Sequence, residues 1–441
     1  MLEPKSVAVP EDKYPKTGKV YLQPLEPGLP EFVLTKNFLT HQMSFGFGYT
    51  EKPFKDLVLP IFMGPDRYKK QPPSKREEIF QDIKRTDDGE LKLVNQEVID
   101  SQKGILGEVI KKAMVSIFTG QGMVGMSLPV RIFEPRSTMQ RIADNMVYIP
   151  NYLKRANEAT SPVERAKLCI TGLVSGICMS PSMQKPFNPY LGETLEAEFP
   201  DKSKVYMEHT SHHPPISNFY VDCVYGAKVS GRLEQIADVG ANSMELIYRG
   251  PVNIEFSDGH KVTMFLPTGI TTGVVVGSRM LKFGRKACYY DAENSIKGYF
   301  DMDGNVEHGK YKGKRADTFT GEIYKFDPKK HKGFGDNYKD IFSAFKSKDK
   351  VQQLASIVGG IFEGIEFDAV EYWNFDTNKV ERAVPVENPL PSDYRFREDL
   401  LWLEYKDRDK AQAWKLKLEE IQRWDRGLRQ EAEKKRKKAG K

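Results

Sequence analysis

The segment "KVYMEHTSHHPPISNFYVDCVY", Lys204 to Tyr225, decides how the chain is read. Its two arms, "KVYMEH" and "ISNFYVDCVY", read as short β-rich pieces. Between them, "HTSHHPP" (His209 to Pro215) gathers three of the chain's seven histidines and then two prolines. Proline fixes its own φ and pushes the residue before it towards extended backbone, so the histidines ride on a stiff, low-entropy segment. Adjacent residues of an extended chain point to opposite sides. His212 and His213 therefore do not converge readily on one ion. Metal ligation, acid–base catalysis and anion capture are the three chemistries to separate.

Outward from this segment, Thr194 to about Ala369 continues as short β-rich pieces. "KVSGRLEQI", "SMELIYRG", "VNIEFSDGHKVTMFLP", "ACYYDAENSIKGYFDM" and "DTFTGEIYKF" are separated by Gly, Asn and Asp turns. Many strands at short spacing predict an antiparallel sheet curling into a barrel. Upstream, "STMQRIADNMVYIPNYLKRANEATSPVERAKLCITGL" starts at Ser137 and reads as helix, divided at Pro150 and Pro162. "GMSLPVRIFEPRS" before it reads as a short strand. "GILGEVIKKAMVSIFTG" carries Ile105, Leu106, Val109, Ile110, Met114 and Ile117 at helical spacing, one broad apolar face. Residues 1 to about 100 are rich in Pro, Lys and Glu without sustained periodicity and read as loops or disorder. Beyond the proline loop "PVENPLPSDYR", a long polar helix from about Asp407 closes the chain in "RQEAEKKRKKAGK".

The 441 residues carry 67 Lys and Arg against 61 Asp and Glu, a net charge of only +6, so the distribution of charge matters more than its sum. Cys169, Cys178, Cys223 and Cys288 lack CxxC spacing and read as buried thiols of a reducing compartment. The N-terminus lacks the apolar core of a signal peptide. The longest mostly apolar run, Leu168 to Met179, falls well short of the roughly 20 residues of a spanning helix. A soluble, cytosolic protein is expected.

Three further motifs bear on chemistry. The one GxGxxG pattern, Gly120, Gly122 and Gly125, follows a helix and precedes a strand. That inverts the order a dinucleotide site needs, so a hinge is the expectation. "KPFNPYLGE", Lys185 to Glu193, brackets Asn188 with two prolines and either presents Lys185 or simply leads into the barrel. Lys415, Glu419 and Arg423 recur at i, i+4 and i+8, a row that drifts only about 80° and spans about 12 Å. It flanks the apolar stripe of Ala411, Trp414, Leu418 and Ile421. Such a row is an ion-pair ladder, or two cations held towards a polyanion by an orienting carboxylate. No HExxH or nearby Cys accompanies the histidines, so no metal is expected. No nucleophile motif accompanies them either, which argues against an enzyme.

"KPFNPYLGE", then "SHHPP", then the Lys415/Glu419/Arg423 row form an ordered set. "LPVRIFEPRSTMQRIAD" and "PSDYRFREDLLWLEYKDRDKAQAWKLKLEEIQR" extend it. The set resembles the lipid-binding domain of the oxysterol-binding-protein-related family, over about residues 100 to 430. Where that family has Glu-Gln-Val before Ser-His-His, this chain has Glu208, His209 and Thr210.

The resemblance implies a β-rich α+β fold. Its incomplete antiparallel barrel would enclose an apolar lipid tunnel, with an N-terminal lid, a helical insertion and a C-terminal helical subdomain. It implies an extension over 1–100, a lipid-binding domain over 101–430 with its lid at about 104–118, and a basic tail over 431–441. It further implies a lipid-transfer protein that exchanges phosphatidylinositol 4-phosphate for a sterol or phosphatidylserine, one lipid at a time. A sensor or scaffold at membrane contacts without net transfer is the alternative. Lys185, Asn188, His212, His213, Lys415, Glu419 and Arg423 would surround the head group; Ile105, Leu106, Val109 and Ile110 would face the lipid from the lid. No cofactor and no nucleic acid is implied. The expected state is a monomer, peripheral on anionic membranes, at endoplasmic-reticulum contacts among other sites. "IEFDAVE", Ile365 to Glu371, resembles the family's receptor-docking motif but has Glu366 where a second aromatic belongs, and reads as a strand end.

Overall fold

A computed structural model describes residues 5–8, 19–22, 79–102, 104–105, 127–212, 214–284, 286–302, 306–307, 309–331, 347–387, 389–390 and 392–439. Leu106, Val109 and Ile110, the glycine pattern at 120–125 and His213 lie outside these residues. The described strands are β1 (Lys5–Ala8), β2 (Lys19–Leu22), β3 (Ile83–Arg85), β4 (Leu91–Leu93), β5 (Phe133–Ser137), β6 (Lys185–Phe187), β7 (Thr194–Glu198), β8 (Lys204–His212), β9 (Pro215–Asp222), β10 (Lys228–Val239) and β11 (Ser243–Arg249). They continue with β12 (Val252–Glu255), β13 (Lys261–Phe265), β14 (Thr268–Thr272), β15 (Met280–Gly284), β16 (Lys286–Asp291), β17 (Ile296–Asp301), β18 (Thr318–Phe326), β19 (Lys350–Gly360), β20 (Gly364–Phe367), β21 (Val370–Asn374) and β22 (Val384–Pro385).

Apart from the β1–β2 hairpin and the parallel pair β5–β6, these strands form one antiparallel sheet. It runs β22–β7–β8–β9–β10 and then forks. The long β10 offers Lys228–Gly231 to β12 and Glu234–Val239 to β11. Gly250 sits at the fork, where a Cβ would stand 1.7 Å from the Arg232 carbonyl oxygen; only glycine lets the two backbones approach this closely. One branch continues β12–β13–β16–β17–β18–β19–β20–β21. The other continues β11–β14–β15–β4–β3. No ladder among the described residues joins β21 or β3 back to β22, so the barrel is incomplete, as expected.

The two β-rich pieces of the opening segment fold as strands. β8 and β9 pair as a hairpin, with Val205, Met207, Phe219 and Val221 buried and Tyr206, Glu208, Tyr220 and Asp222 outward. The inward parity also claims His209, which is fully buried. Helices fill one side of the sheet. Ser137 opens the Thr138–Asp144 helix through a capping box with Gln140, and Ser161 caps the Pro162–Val174 helix, which has proline in its first turn. Tyr152, Leu153, Cys169 and Ile170 from these helices lie in the core. The helices Glu398–Glu404 and Arg408–Ala439 close the chain.

Two expected boundaries move. Ile79, Ile83, Leu91 and Leu93 are core residues, and β4 pairs with β15. The folded unit thus begins at or before Ile79, about 20 residues upstream of the expected boundary at 100. Its strands there are three residues long, too short for periodicity to declare them. The expected basic tail from 431 is not separate: the last helix continues through it to Ala439. Ile105, the one apolar lid residue described, is partly buried against the core.

Candidate functional site

The parallel pair of β5 and β6 brings Phe133 against Phe187, with rings stacked at 4.7 Å, and sets Lys185 opposite Phe133 in register. The Lys185 ammonium lies 5.0 Å from the centre of the Phe133 ring. Lys415, one turn into the apolar stripe of the last helix, reaches the same ring at 5.4 Å. Two cations from remote segments therefore share one aromatic ring. Lys415 is 4% exposed; it donates to the Glu419 carboxylate and to Ser127 Oγ at 3.1 Å. Arg423 approaches the other Glu419 oxygen at 3.8 Å. Glu419 thus lies between the two cations of the row.

Lys185 is held differently. Its Nζ donates to Asn188 Oδ1 at 2.6 Å and to the Pro186 carbonyl at 3.1 Å. Among the described residues it forms no ion pair with a carboxylate. Burial, then the Lys415 charge and then Arg397 lower its pKa to about 7, against a weaker opposing pull from Glu134. An ammonium with neutral acceptors and cationic neighbours is ready for an anion.

The turn carrying Asn188 is locked from beneath by Arg397, which is 1% exposed. Arg397 donates to the Asn188 carbonyl at 2.8 Å, to Glu193 at 3.2 Å and in a fork to Asp399 at 2.8 and 3.0 Å. It also lies over the Tyr190 and Phe187 rings, at 4.4 and 5.0 Å. Burial opposes its charge, but Asp399 and then Glu193 outweigh that and raise its pKa. Glu193 closes the turn by accepting from the Tyr190 amide at 3.0 Å. Its own pKa is pushed up to about 7 by burial, with Arg397 pulling the other way.

The histidine strand is bolted to this turn through main chain. The His209 amide donates to the Glu193 carbonyl at 2.9 Å, and the Gly192 amide donates to the His209 carbonyl at 2.8 Å. His209 Nδ1 pairs with Ser217 Oγ at 3.0 Å and its Nε2 with His212 Nδ1 at 3.3 Å. A buried imidazole therefore sets the ring of His212. Consecutive contacts connect Arg423, Glu419, Lys415, Phe133, Lys185, Asn188, Arg397, Glu193, His209 and His212. All the expected head-group residues except His213, which lies outside the described residues, belong to this series. Phe133, Glu193, His209 and Arg397 are additions. The departure at His209 from the family pattern was the visible signal for one of them. Burial of Arg397 within an "FRED" run had no local signal.

A family model, the oxysterol-binding protein, matches residues 112–439. The chain belongs to the oxysterol-binding protein family. Oxysterol-binding protein 9 of Dictyostelium discoideum is 30% identical over 359 residues, covering 79% of this chain and 81% of its own. Human oxysterol-binding protein-related protein 3 is 26% identical over 331 residues; the match spans 71% of this chain but 35% of that longer protein. Among solved structures, the Saccharomyces cerevisiae Osh3 ORD in complex with PI(4)P matches with a TM-score of 0.55 at 20% identity, over 72% of this chain and 84% of that one. The Osh1 ORD in complex with ergosterol matches with a TM-score of 0.56 at 20% identity, over 70% and 77%. These likenesses carry the fold: an antiparallel sheet with helices, arranged as an incomplete barrel.

Other parts of the chain bear on smaller questions. "IEFDAVE" is the β20–β21 hairpin, with Ile365 and Phe367 buried and Asp368 and Ala369 turning at φ 50° and 64°. It is a structural turn of the sheet. All four cysteines are free and buried. Among the described residues no group of three or more His, Cys, Asp and Glu could hold a metal ion, and no helix is long and apolar enough to cross a membrane.

Proposed function

We propose that this chain binds and transfers lipids, extracting one molecule at a time and exchanging phosphatidylinositol 4-phosphate for a sterol or phosphatidylserine between membranes. The observation that carries this reading is the pair of ammonium groups over Phe133, one of them without a carboxylate partner among the described residues. A phosphate monoester supplies the missing charge and accepts several charge-assisted hydrogen bonds at once. In this reading His212 and His213 grip the phosphate, with Lys185, Lys415 and Arg423 as cations, Asn188 holding Lys185 and Glu419 orienting the row. Imidazoles with pKa values near 6.5 gain charge as the anion arrives.

Relatives solved with PI(4)P and with ergosterol support the same two ligand classes. Ile105, packed on the core, fits a lid over residues 104–118 whose apolar face (with Leu106, Val109 and Ile110) meets the lipid chain. The protein acts without chemistry on its ligand, as a cytosolic monomer that visits anionic membranes and contacts with the endoplasmic reticulum.

Replacing His212 and His213 together with Ala tests the reading. Extraction of phosphatidylinositol 4-phosphate from liposomes should be lost, while sterol or phosphatidylserine still binds because its head group need not touch the imidazoles. Normal phosphoinositide extraction by the double variant would overturn the assignment. Binding without delivery to acceptor vesicles would mark a sensor.

A further inference from the structure

The loop "GVVVGS" from Gly273 to Ser278, joining β14 to β15, is unlike the other connections of the sheet. Val276 is 73% exposed and Val275 46%. Valines held outward on a tip are costly in water unless something apolar receives them. The backbone of this tip is already satisfied. Asn242, from the turn between β10 and β11, accepts from the amides of Val275 and Val276 through Oδ1, at 2.8 and 3.0 Å. Its Nδ2 donates to the Val276 carbonyl at 2.9 Å. Its own carbonyl accepts from the Val274 amide at 3.4 Å. Gly273 closes the neck at φ +66°, where a Cβ would stand 1.9 Å from the Ser278 carbonyl oxygen. One asparagine thus pairs all three valine amides and the Val276 carbonyl, groups that an apolar medium would otherwise leave unpaired.

The strand register widens this tip into a patch. Ser243 pairs with Thr272, Thr272 with Met280, and Met280 with Lys92. The exposed side chains of Met244 and Val94 therefore lie at the same end of the sheet as the valines. The segments 91–95, 239–244 and 268–284 contain Lys92, Arg279 and Lys282 and no carboxylate. Carboxylates begin just beyond these segments: Asp238 pairs across the sheet with Glu245, which accepts from Thr268 Oγ1, and Asp82 accepts from the Asn95 side chain. Arg279 ties the loop inward: it donates to the Gln102 side chain, at the end of the helix before the lid, and to the Met183 carbonyl at 3.5 Å, two residues before Lys185.

We infer that the tip carrying Val275 and Val276 is a preformed wedge that enters the surface of an anionic bilayer and sets the Lys185 site against it. This rests on the proposal that the ligand is drawn from a membrane. An apolar, uncharged tip whose valine amides are paired, with Lys92 and Lys282 on the strands beside it, suits an anionic lipid surface.

The four native cysteines are buried, so Val276→Cys in the full chain offers a selective point for an environment-sensitive fluorophore. With vesicles of equal parts phosphatidylcholine and phosphatidylserine, the label should shift to the blue and be quenched by spin labels on the acyl chains. Val275→Asp combined with Val276→Asp should weaken vesicle binding by about tenfold or more, given the transfer free energy of a valine. Binding of soluble inositol 1,4-bisphosphate should stay at the wild-type level in the same variant. A label that stays in water, or an Asp variant that pellets with vesicles as wild type does, overturns the wedge and assigns the tip to a protein partner or to solvent. Loss of inositol bisphosphate binding in the variant also overturns it, since the tip would then be part of the pocket. If no form binds inositol bisphosphate while the label still enters bilayers, the head-group reading fails and the wedge stands.

Discussion

Two lysines under the same roof of aromatic rings have opposite surroundings. Lys297, fully buried, lies 4.6 Å from the Phe326 ring, forms an ion pair with Asp349 and touches His331 Nδ1 at 3.0 Å. Lys185 lies 5.0 Å from the Phe133 ring but donates only to an amide and a backbone carbonyl, with Lys415 across the same ring. The first cation is neutralised where it stands and serves the fold. The second has no carboxylate partner among the described residues, and in the proposed function a bound anion supplies that charge. Ring contact fails to separate them; Lys297 is fully buried beside a carboxylate, whereas Lys185 is half-buried and, among the described residues, has none.

Substitution should separate them most sharply. Lys297→Ala leaves Asp349 buried without its ion-pair partner and should cost about 3–5 kcal/mol of stability, measured by chemical denaturation. Binding per folded molecule should not change. Lys185→Met should do the reverse. It should lower affinity for phosphatidylinositol 4-phosphate by about 1.5–3 kcal/mol, the range for a charged hydrogen bond, and leave stability within about 0.5 kcal/mol. If both variants lost stability equally, the comparison would collapse and Lys185 would be one more structural cation.

The row on the last helix comes next. Lys415→Ala and Arg423→Ala should each lower phosphoinositide affinity, Lys415 more, because it is buried beside Phe133 while Arg423 is half exposed. Glu419→Ala should cost less than either, as a residue that orients rather than binds. Equal and negligible losses in a liposome extraction assay would return the row to an ordinary surface ladder worth a few tenths of a kcal/mol per pair.

The smallest effect is on protons. In the free fold Lys185 has a pKa of about 7 against an ordinary 10.5, so the unfolded chain binds more protons between those values. Its contribution to stability is present above pH 10.5 and is lost as pH falls through about 7. Glu193 runs the other way: raised from 4.5 to about 7, it contributes below pH 4.5, and that contribution is lost as pH rises through about 7. A bound phosphate restores the ammonium, so binding between about pH 7 and 10.5 should take up as much as one proton, and affinity should fall as pH rises. Titration calorimetry in buffers of different ionisation enthalpy measures the uptake. Lys185→Met should remove it, and unchanged uptake in that variant would place the proton elsewhere.

What could be read from the sequence were features recorded among near neighbours. The β-rich pieces on either side of the histidines gave the two strands of the hairpin, and the i, i+4, i+8 row gave the face that holds Lys415, Glu419 and Arg423 together. The proline-bracketed turn around Asn188 was visible as a turn, but not what holds it. Arg397 and Glu193 escaped notice because each looks ordinary beside its neighbours; only burial makes them specific. The start of the fold near Ile79 escaped for a related reason, since strands of three residues carry too little pattern to register.

Composition and periodicity by themselves indicated a β-rich barrel, and the ordered motifs indicated the oxysterol-binding family and the residues proposed around a head group. The tertiary structure alone decided that Lys185 and Lys415 share one ring, that Arg397 fastens the turn from beneath, and that Asn242 pins the loop on which Val275 and Val276 stand outward. Each of these joins segments far apart in the chain. Such contacts depend on sheet register and helix docking, where many weak preferences are summed, and no short stretch of sequence records the sum.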